Sequence, residues 1–213
     1  MDWQNAILVF VTLIISLTVH EAAHAFVAML GGDLTAYRTG QVTLNPLPHI
    51  RREPFGTLVL PILSLLSTNG RWCLGYAHAP YDPYWAARNP RKAALMSLAG
   101  PVSNFLLAAI AFAVLYFIAK PDSDTEDAVR TIAGAFLKMN LLLGVFNLVP
   151  LPPLDGAGVV GGLFPPSKRL FDQIAAIPYS SIVVFVVLSR FLGELFWPIY
   201  FAVNGLLPFP FYD

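Results

Sequence analysis

The sequence predicts an all-α polytopic membrane protein. It should have about four full transmembrane helices, a short re-entrant or tilted helix over 56–68, and small membrane-associated β-strands. Three observations carry this. Of 213 residues, 56% are hydrophobic and only 12% charged, against roughly 25% charged in soluble domains. Apolar runs near the ~20 residues that a span needs extend from about Asn5 to Leu30, Ala93 to Ala119, Val129 to Val149 and Tyr179 to Leu207. No polar stretch is long enough for a separate soluble domain, so 1–213 reads as one membrane-embedded domain. Lys+Arg and Asp+Glu are 13 each, a balance that implies no nucleic-acid partner. A single cysteine, Cys73, excludes an intrachain disulfide and a Cys-rich metal site.

In chain order, the first run stops at Gly31-Gly32. Gln41–Leu44 alternates and predicts a short strand, and the prolines that follow it argue against a helix. His49 in this loop reads as a solvated or interfacial histidine. Gly56–Ser67 is apolar but about half a span long, hence the re-entrant helix. Trp72–Ala77 suits a strand or an interfacial segment, and His78 reads as structural or interfacial. The second span carries small and polar residues at Ala99-Gly100-Pro101-Val102-Ser103-Asn104, which allow close helix approach. Gly161-Gly162 and Pro165-Pro166 read as a loop. Arg190 and Glu194, four apart in the last span, read as an ion pair.

The chemistry concentrates in His20-Glu21-Ala22-Ala23-His24. Residues four apart share one helical face, so His20 and His24 point two imidazoles at one metal. Glu21 sits about 100° round the helix, beside the metal, where a base for activating water belongs. Two histidines and a glutamate inside an apolar run are expensive without a use. Catalytic zinc takes three protein ligands. Asp155 is the candidate third, because the prolines before it free backbone at membrane depth and a carboxylate there wants a cation. Asp155-Gly156 also reads as a plain turn pair.

Asn147-Leu148-Val149-Pro150-Leu151-Pro152-Pro153-Leu154-Asp155-Gly156 resembles the Asn-x-x-Pro-x-Pro-x-Leu-Asp-Gly signature of the site-2 protease family. His20–His24 is similar to that family's first motif, and Ala99–Asn104 to its Ala-Gly-Pro-x-x-Asn helix. The resemblance implies an intramembrane zinc endopeptidase of the compact prokaryotic type without PDZ or CBS domain. It implies one Zn2+ per chain on His20, His24 and Asp155, Glu21 as the catalytic base, and Asn147 as a substrate-holding or oxyanion group. It further implies a transmembrane protein as substrate, and the cell membrane of a prokaryote as location. The competing class is a zinc-binding membrane transporter or an inactive scaffold. A transporter would carry several polar groups on successive helices, whereas here the intramembrane acids and histidines concentrate in one site with Glu21 in the base position. With 56–68 re-entrant, the loops on the active-site side hold Arg38, Arg51, Arg52, Arg71, Arg88, Arg91, Lys92, Lys168 and Arg169, against Lys120 and Arg130 opposite. That bias puts the N-terminus outside and the metal nearer the cytoplasm.

Overall fold

The computed structural model describes residues 2–70, 72–118 and 121–211, and among them the regular structure is entirely helical. Among the described residues, three helices are long and apolar enough to cross a membrane: α1 (Trp3–Gly31), α6 (Pro90–Phe117) and α7 (Asp124–Asn147). At ~1.5 Å per residue α1 is about 43 Å long, more than the ~30 Å hydrocarbon core. The Asp2 carboxylate caps it by accepting from the amides of Gln4 (3.1 Å) and Asn5 (3.2 Å). Gly32 ends it at φ +101°, a left-handed turn that favours glycine. The next residue, Asp33, ties this end to the segment at Asp82. Its carboxylate accepts from the Thr35 amide and hydroxyl and from the Asp82 amide (2.7 Å).

α6 is the central helix, packed against α1, α7 and α8 (Asp155–Leu163). Ala108, Ala111 and Leu115 of α6 form one core with Ala133, Leu137 and Leu141 of α7 and with Phe196 and Tyr200 of α10 (Ser180–Asn204). A second core joins Leu13 and Leu17 of α1 to Met139 and Leu143 of α7, with Leu65 and Cys73. The remaining elements are α2 (Thr35–Arg38), α3 (Pro46–Arg52), a π-helical turn (Phe55–Val59) leading into α4 (Leu60–Ser67), α5 (Pro83–Arg88) and α9 (Pro165–Ala175).

Several expectations need correcting. The β-strands are absent among the described residues, because local acceptors take their amides. Trp72 donates to the Thr68 hydroxyl, Leu74 to the Ser64 hydroxyl and Tyr76 to the Gly56 carbonyl. Gln41 donates its amide back to Ala36. The prolines after Gln41–Leu44 start a helix instead of preventing one: Pro46 opens α3, where its missing N–H costs nothing, and the Asn45 side chain caps the Leu47 amide at 3.0 Å. His49 is buried within α3, its Nε2 against the Thr43 carbonyl at 3.0 Å, so it is not solvated. α10, where the fourth span is expected, is helical over 25 residues. Its Arg190 and Glu194 lie exposed with no ion pair between them; Arg before Glu is the weaker order for an i,i+4 pair. Gly161 and Gly162 belong to α8, not to a loop. Gly158 packs on Ser97 of α6, and Gly162 on Ala94 and the Pro90 carbonyl, a small-xxx-small contact between two helices. Arg130 was counted as a loop cation. It is buried, and donates to the carbonyls of Leu115 (3.3 Å), Ile118 (2.7 Å) and Phe209 (2.5 Å), closing the C-terminal end of α6. Arg71 and Lys120, also in the charge count, lie outside the described residues, as does Ala119 at the end of the expected second span.

Candidate metal centre

Leu13, Ser16, Leu17, His20, Glu21, His24 and Ala28 make the buried stripe of α1. Helical periodicity thus turns both histidines and the glutamate inward. Each imidazole is held from behind. His24 Nδ1–H donates to the Met96 carbonyl at 2.7 Å. His20 Nδ1–H donates to Asn104 Oδ1 at 2.6 Å. Asn104 must present its oxygen to His20, because its Nδ2 donates to Asn140 Oδ1 at 2.9 Å. Asn140 in turn donates to Ser16 Oγ (2.9 Å) and to the Phe136 carbonyl (2.9 Å). Asn104 and Asn140 are fully buried. These partners fix the tautomer: with hydrogen on Nδ1, both neutral rings offer an Nε2 lone pair.

The two lone pairs meet. Nε2 of His20 and Nε2 of His24 are 2.9 Å apart. Asp155 Oδ2 lies 3.0 Å from the first and Oδ1 lies 3.3 Å from the second. Three acceptors therefore converge with no donor among them. Four ligands set tetrahedrally at zinc–ligand distances of ~2.0–2.1 Å stand about 3.3 Å from one another, so the observed separations fit that ion. Two imidazoles and one carboxylate are also a donor set that zinc accepts. Gly100 lets α6 close over the rings: a Cβ there would lie 2.5 Å from His20 Nε2 and collide with His24 Nε2 as well. Asp155 reaches the site as the first residue of α8, after the irregular Pro150–Leu154 segment.

Glu21 is buried and its Oε2 has no hydrogen-bond partner among the described residues. One of its carboxylate oxygens and a ring nitrogen from each histidine lie within 4.8 Å of one another. Access is one-sided. The Asp155 side chain is 21% exposed, against 5% and 9% for His20 and His24.

The structure thus brings together His20, Glu21, His24 and Asp155. Asn147 stands apart in its bonding: it is half-buried at the end of α7, and its amide donates to the Leu143 carbonyl of the same helix at 3.0 Å. His78 is exposed and stacks edge-on against Tyr76. Sequence reasoning missed Asn140 and Ser16 altogether and gave Asn104 no role. The available signal was Asn140 itself, an amide in mid-span that is costly in lipid unless bonded.

The site's depth follows from its two helices. His24 is seven residues before the end of α1, and Gly100 ten residues after the start of α6, at the same end of the bundle. At ~1.5 Å per residue the centre lies roughly 10–15 Å below that end. Buried histidines and acids on helices long and apolar enough to cross a membrane define a helical protein with a candidate transition-metal centre.

Known proteins agree. The protein named "Putative zinc metalloprotease YwhC" of Bacillus subtilis is 38% identical over 194 residues, covering 88% of this chain and 83% of that protein. "Putative zinc metalloprotease Rip2" of Mycolicibacterium smegmatis is 32% identical over 206 residues, 94% of this chain and 75% of the relative. Its Mycobacterium tuberculosis namesake is 31% identical over 188 residues, 88% of this chain and 67% of the relative. The chain belongs to their family, the site-2 proteases. No family model and no solved structure matches it.

Proposed function

We propose that this chain is a zinc endopeptidase that cuts peptide bonds in or near membrane-spanning segments of other proteins. The observation that carries the reading is the convergence of three acceptors, His20 Nε2, His24 Nε2 and Asp155, at 2.9–3.3 Å with no donor between them. Such a cluster is stable only around a cation or added protons. His20, His24 and Asp155 would hold one zinc. Zinc, when bound, supplies Lewis acidity that makes water a nucleophile near neutral pH and polarises a carbonyl.

The chain's own residues do the rest. Glu21, buried and unpartnered beside the rings, accepts the proton of the attacking water as the oxygen–carbon bond forms. It then delivers that proton to the amine nitrogen as the carbon–nitrogen bond breaks. The Nδ1 bonds to Asn104 and Met96 keep both rings in one tautomer through the cycle. Substrate approaches from the Asp155 side, the exposed edge. Asn147 serves as a substrate-holding group once its amide leaves the Leu143 carbonyl. We assign four spans, with α10 as the fourth, the 55–67 helix re-entrant, and the metal end facing the cytoplasm of a prokaryotic cell membrane.

The test is Glu21→Gln in the full chain, reconstituted with single-span substrates. Gln is nearly isosteric, cannot accept the proton at neutral pH and leaves the three ligands in place. Loss of a general base costs ~10²–10⁴-fold in rate, and the lost proton shuttle adds to this. Zinc content should stay at one per chain while cleavage falls below detection, and a chelator should abolish wild-type cleavage. A transporter or scaffold predicts no cleavage by either form. Equal cleavage by both would remove Glu21 from the mechanism.

A further inference from the structure

α8 leads from the metal centre back to the end of the bundle. Its first residue, Asp155, stands against His20 and His24. Gly158 packs on Ser97 of α6 and Gly162 on Ala94 and Pro90, so α8 climbs α6 toward its first residue. α9 begins two residues past the end of α8, at the level where α6 itself begins. That level is an end of two apolar helices, and so a membrane–water boundary in the membrane-spanning reading, on which this inference rests.

α9 is built for such a boundary. Lys168, Arg169, Asp172 and Gln173 fall on one face at 100° per residue. Leu170 falls on the opposite side and is exposed, as are Leu163 and Phe164 just before the helix and Ile177 just after it, and no residue of α9 is buried. Phe171 and Ile174 on that side are half-buried, Phe171 near Gly161. The neighbouring charge is basic. Arg88 at the end of α5 and Arg91 and Lys92 at the start of α6 are exposed, and on α9 only Asp172 offsets Lys168 and Arg169.

We propose that α9 is an interfacial helix bound to the headgroup layer of an anionic bilayer, with Leu170 and Ile177 sunk among the acyl chains and Arg169 and Lys168 at the phosphates. An amphipathic helix with a basic polar face lies in the interface with its apolar side ~5–10 Å deep. A second copy of the chain would cover the apolar side without using the cations. The bilayer uses both.

Cys73 is buried, so an added surface cysteine takes a nitroxide label selectively. Leu170→Cys, Ile177→Cys and Asp172→Cys are made in the full chain and placed in vesicles with and without phosphatidylglycerol, with Ile110→Cys on the exposed side of α6 as reference. Collision with oxygen against a water-soluble nickel chelate reads depth. Labels at 170 and 177 should sit about 5–10 Å below the phosphates and shallow when the anionic lipid is removed, while 172 stays in water. Water exposure of 170 and 177 with 110 in lipid overturns the proposal and spares the spans. Water exposure of 110 overturns the spans themselves. Spin coupling between labels at 170 would assign the surface to a second copy, and depth indifferent to headgroup charge would remove the anionic partner.

Discussion

Asn104→Leu should loosen the metal without touching a ligand. The substitution keeps the approximate volume and removes the oxygen that accepts His20 Nδ1–H at 2.6 Å and the nitrogen that donates to Asn140 Oδ1 at 2.9 Å. Both orphaned groups are buried, as His20 is 4% and Asn140 0% exposed. Each buried group left unsatisfied costs about 1–3 kcal/mol. The donor lost at Asn140 weakens the fold with or without metal. The acceptor lost at His20 acts on the metal, because the ring is freed to rotate or to move its hydrogen to Nε2. Loss of a partner behind a ligand typically costs 10–100-fold in metal affinity, about 1.4–2.7 kcal/mol. Asn104→Asp separates the two effects: it keeps an acceptor for His20 and cannot donate to Asn140. The assay is competition for zinc against a chelator of known affinity in detergent, with thermal melts of the metal-free proteins alongside. Asn104→Leu should lose 10–100-fold and Asn104→Asp less than that, while both melt earlier than wild type. Wild-type zinc affinity in a folded Asn104→Leu protein would refute the tautomer argument.

Gly100→Ala should also weaken metal binding, by about tenfold or more. Its Cβ falls 2.5 Å from His20 Nε2, and overpacking of this kind costs about 1–3 kcal/mol; zinc competition measures it. Arg130→Met should lower stability by about 3 kcal/mol in melts, by stranding three carbonyls, yet leave zinc stoichiometry at one. Its partner Leu115 is fifteen residues along α6 from Gly100, roughly 20 Å away. Asp33 gives a pH test. Burial alone would raise its carboxyl, but donation from Thr35 and the Asp82 amide outweighs that and holds it below the ordinary value. A depressed carboxyl stabilises fully above the unfolded pKa of about 3.9, and the stabilisation is lost as pH falls through the folded value. Asp33→Asn should therefore lower the melting temperature at pH 7 and close the gap to wild type in strong acid.

The helix bearing His20, Glu21 and His24 is legible because its spacing and its burial have the same period. Asp155 is legible because a proline-freed carboxylate at membrane depth asks for a cation. Asn140 is not, since a single run says nothing about which neighbour an amide will meet, and its partners lie 36 and 124 residues away. The strands were misread for a related reason. Gln41–Leu44 and Trp72–Ala77 carry an extended pattern, but pairing depends on free donors, and Ser64, Thr68 and Gly56 take them first. Pro46 was read as a breaker because its position within a helix, first or interior, is not visible until Asn45 is seen to cap. Gly162 looks like a loop residue until α6 supplies the surface it fits.

The bonds from His20 to Asn104, Asn140 and back to Ser16 form a circuit that leaves α1, crosses α6 and α7, and returns to α1 one turn earlier. A circuit of this kind is a lock on register. Sliding α1 by one residue, or turning it against either neighbour, would break at least one of its links in a setting where no water can take over. The three helices therefore move as one block. Admitting the peptide substrate proposed above would call on the part of the chain outside that circuit, where Asp155 sits on α8 and α9 and α10 follow. An ion held by His20 and His24 of α1 and by Asp155 of α8 would bridge that block and the rest of the chain.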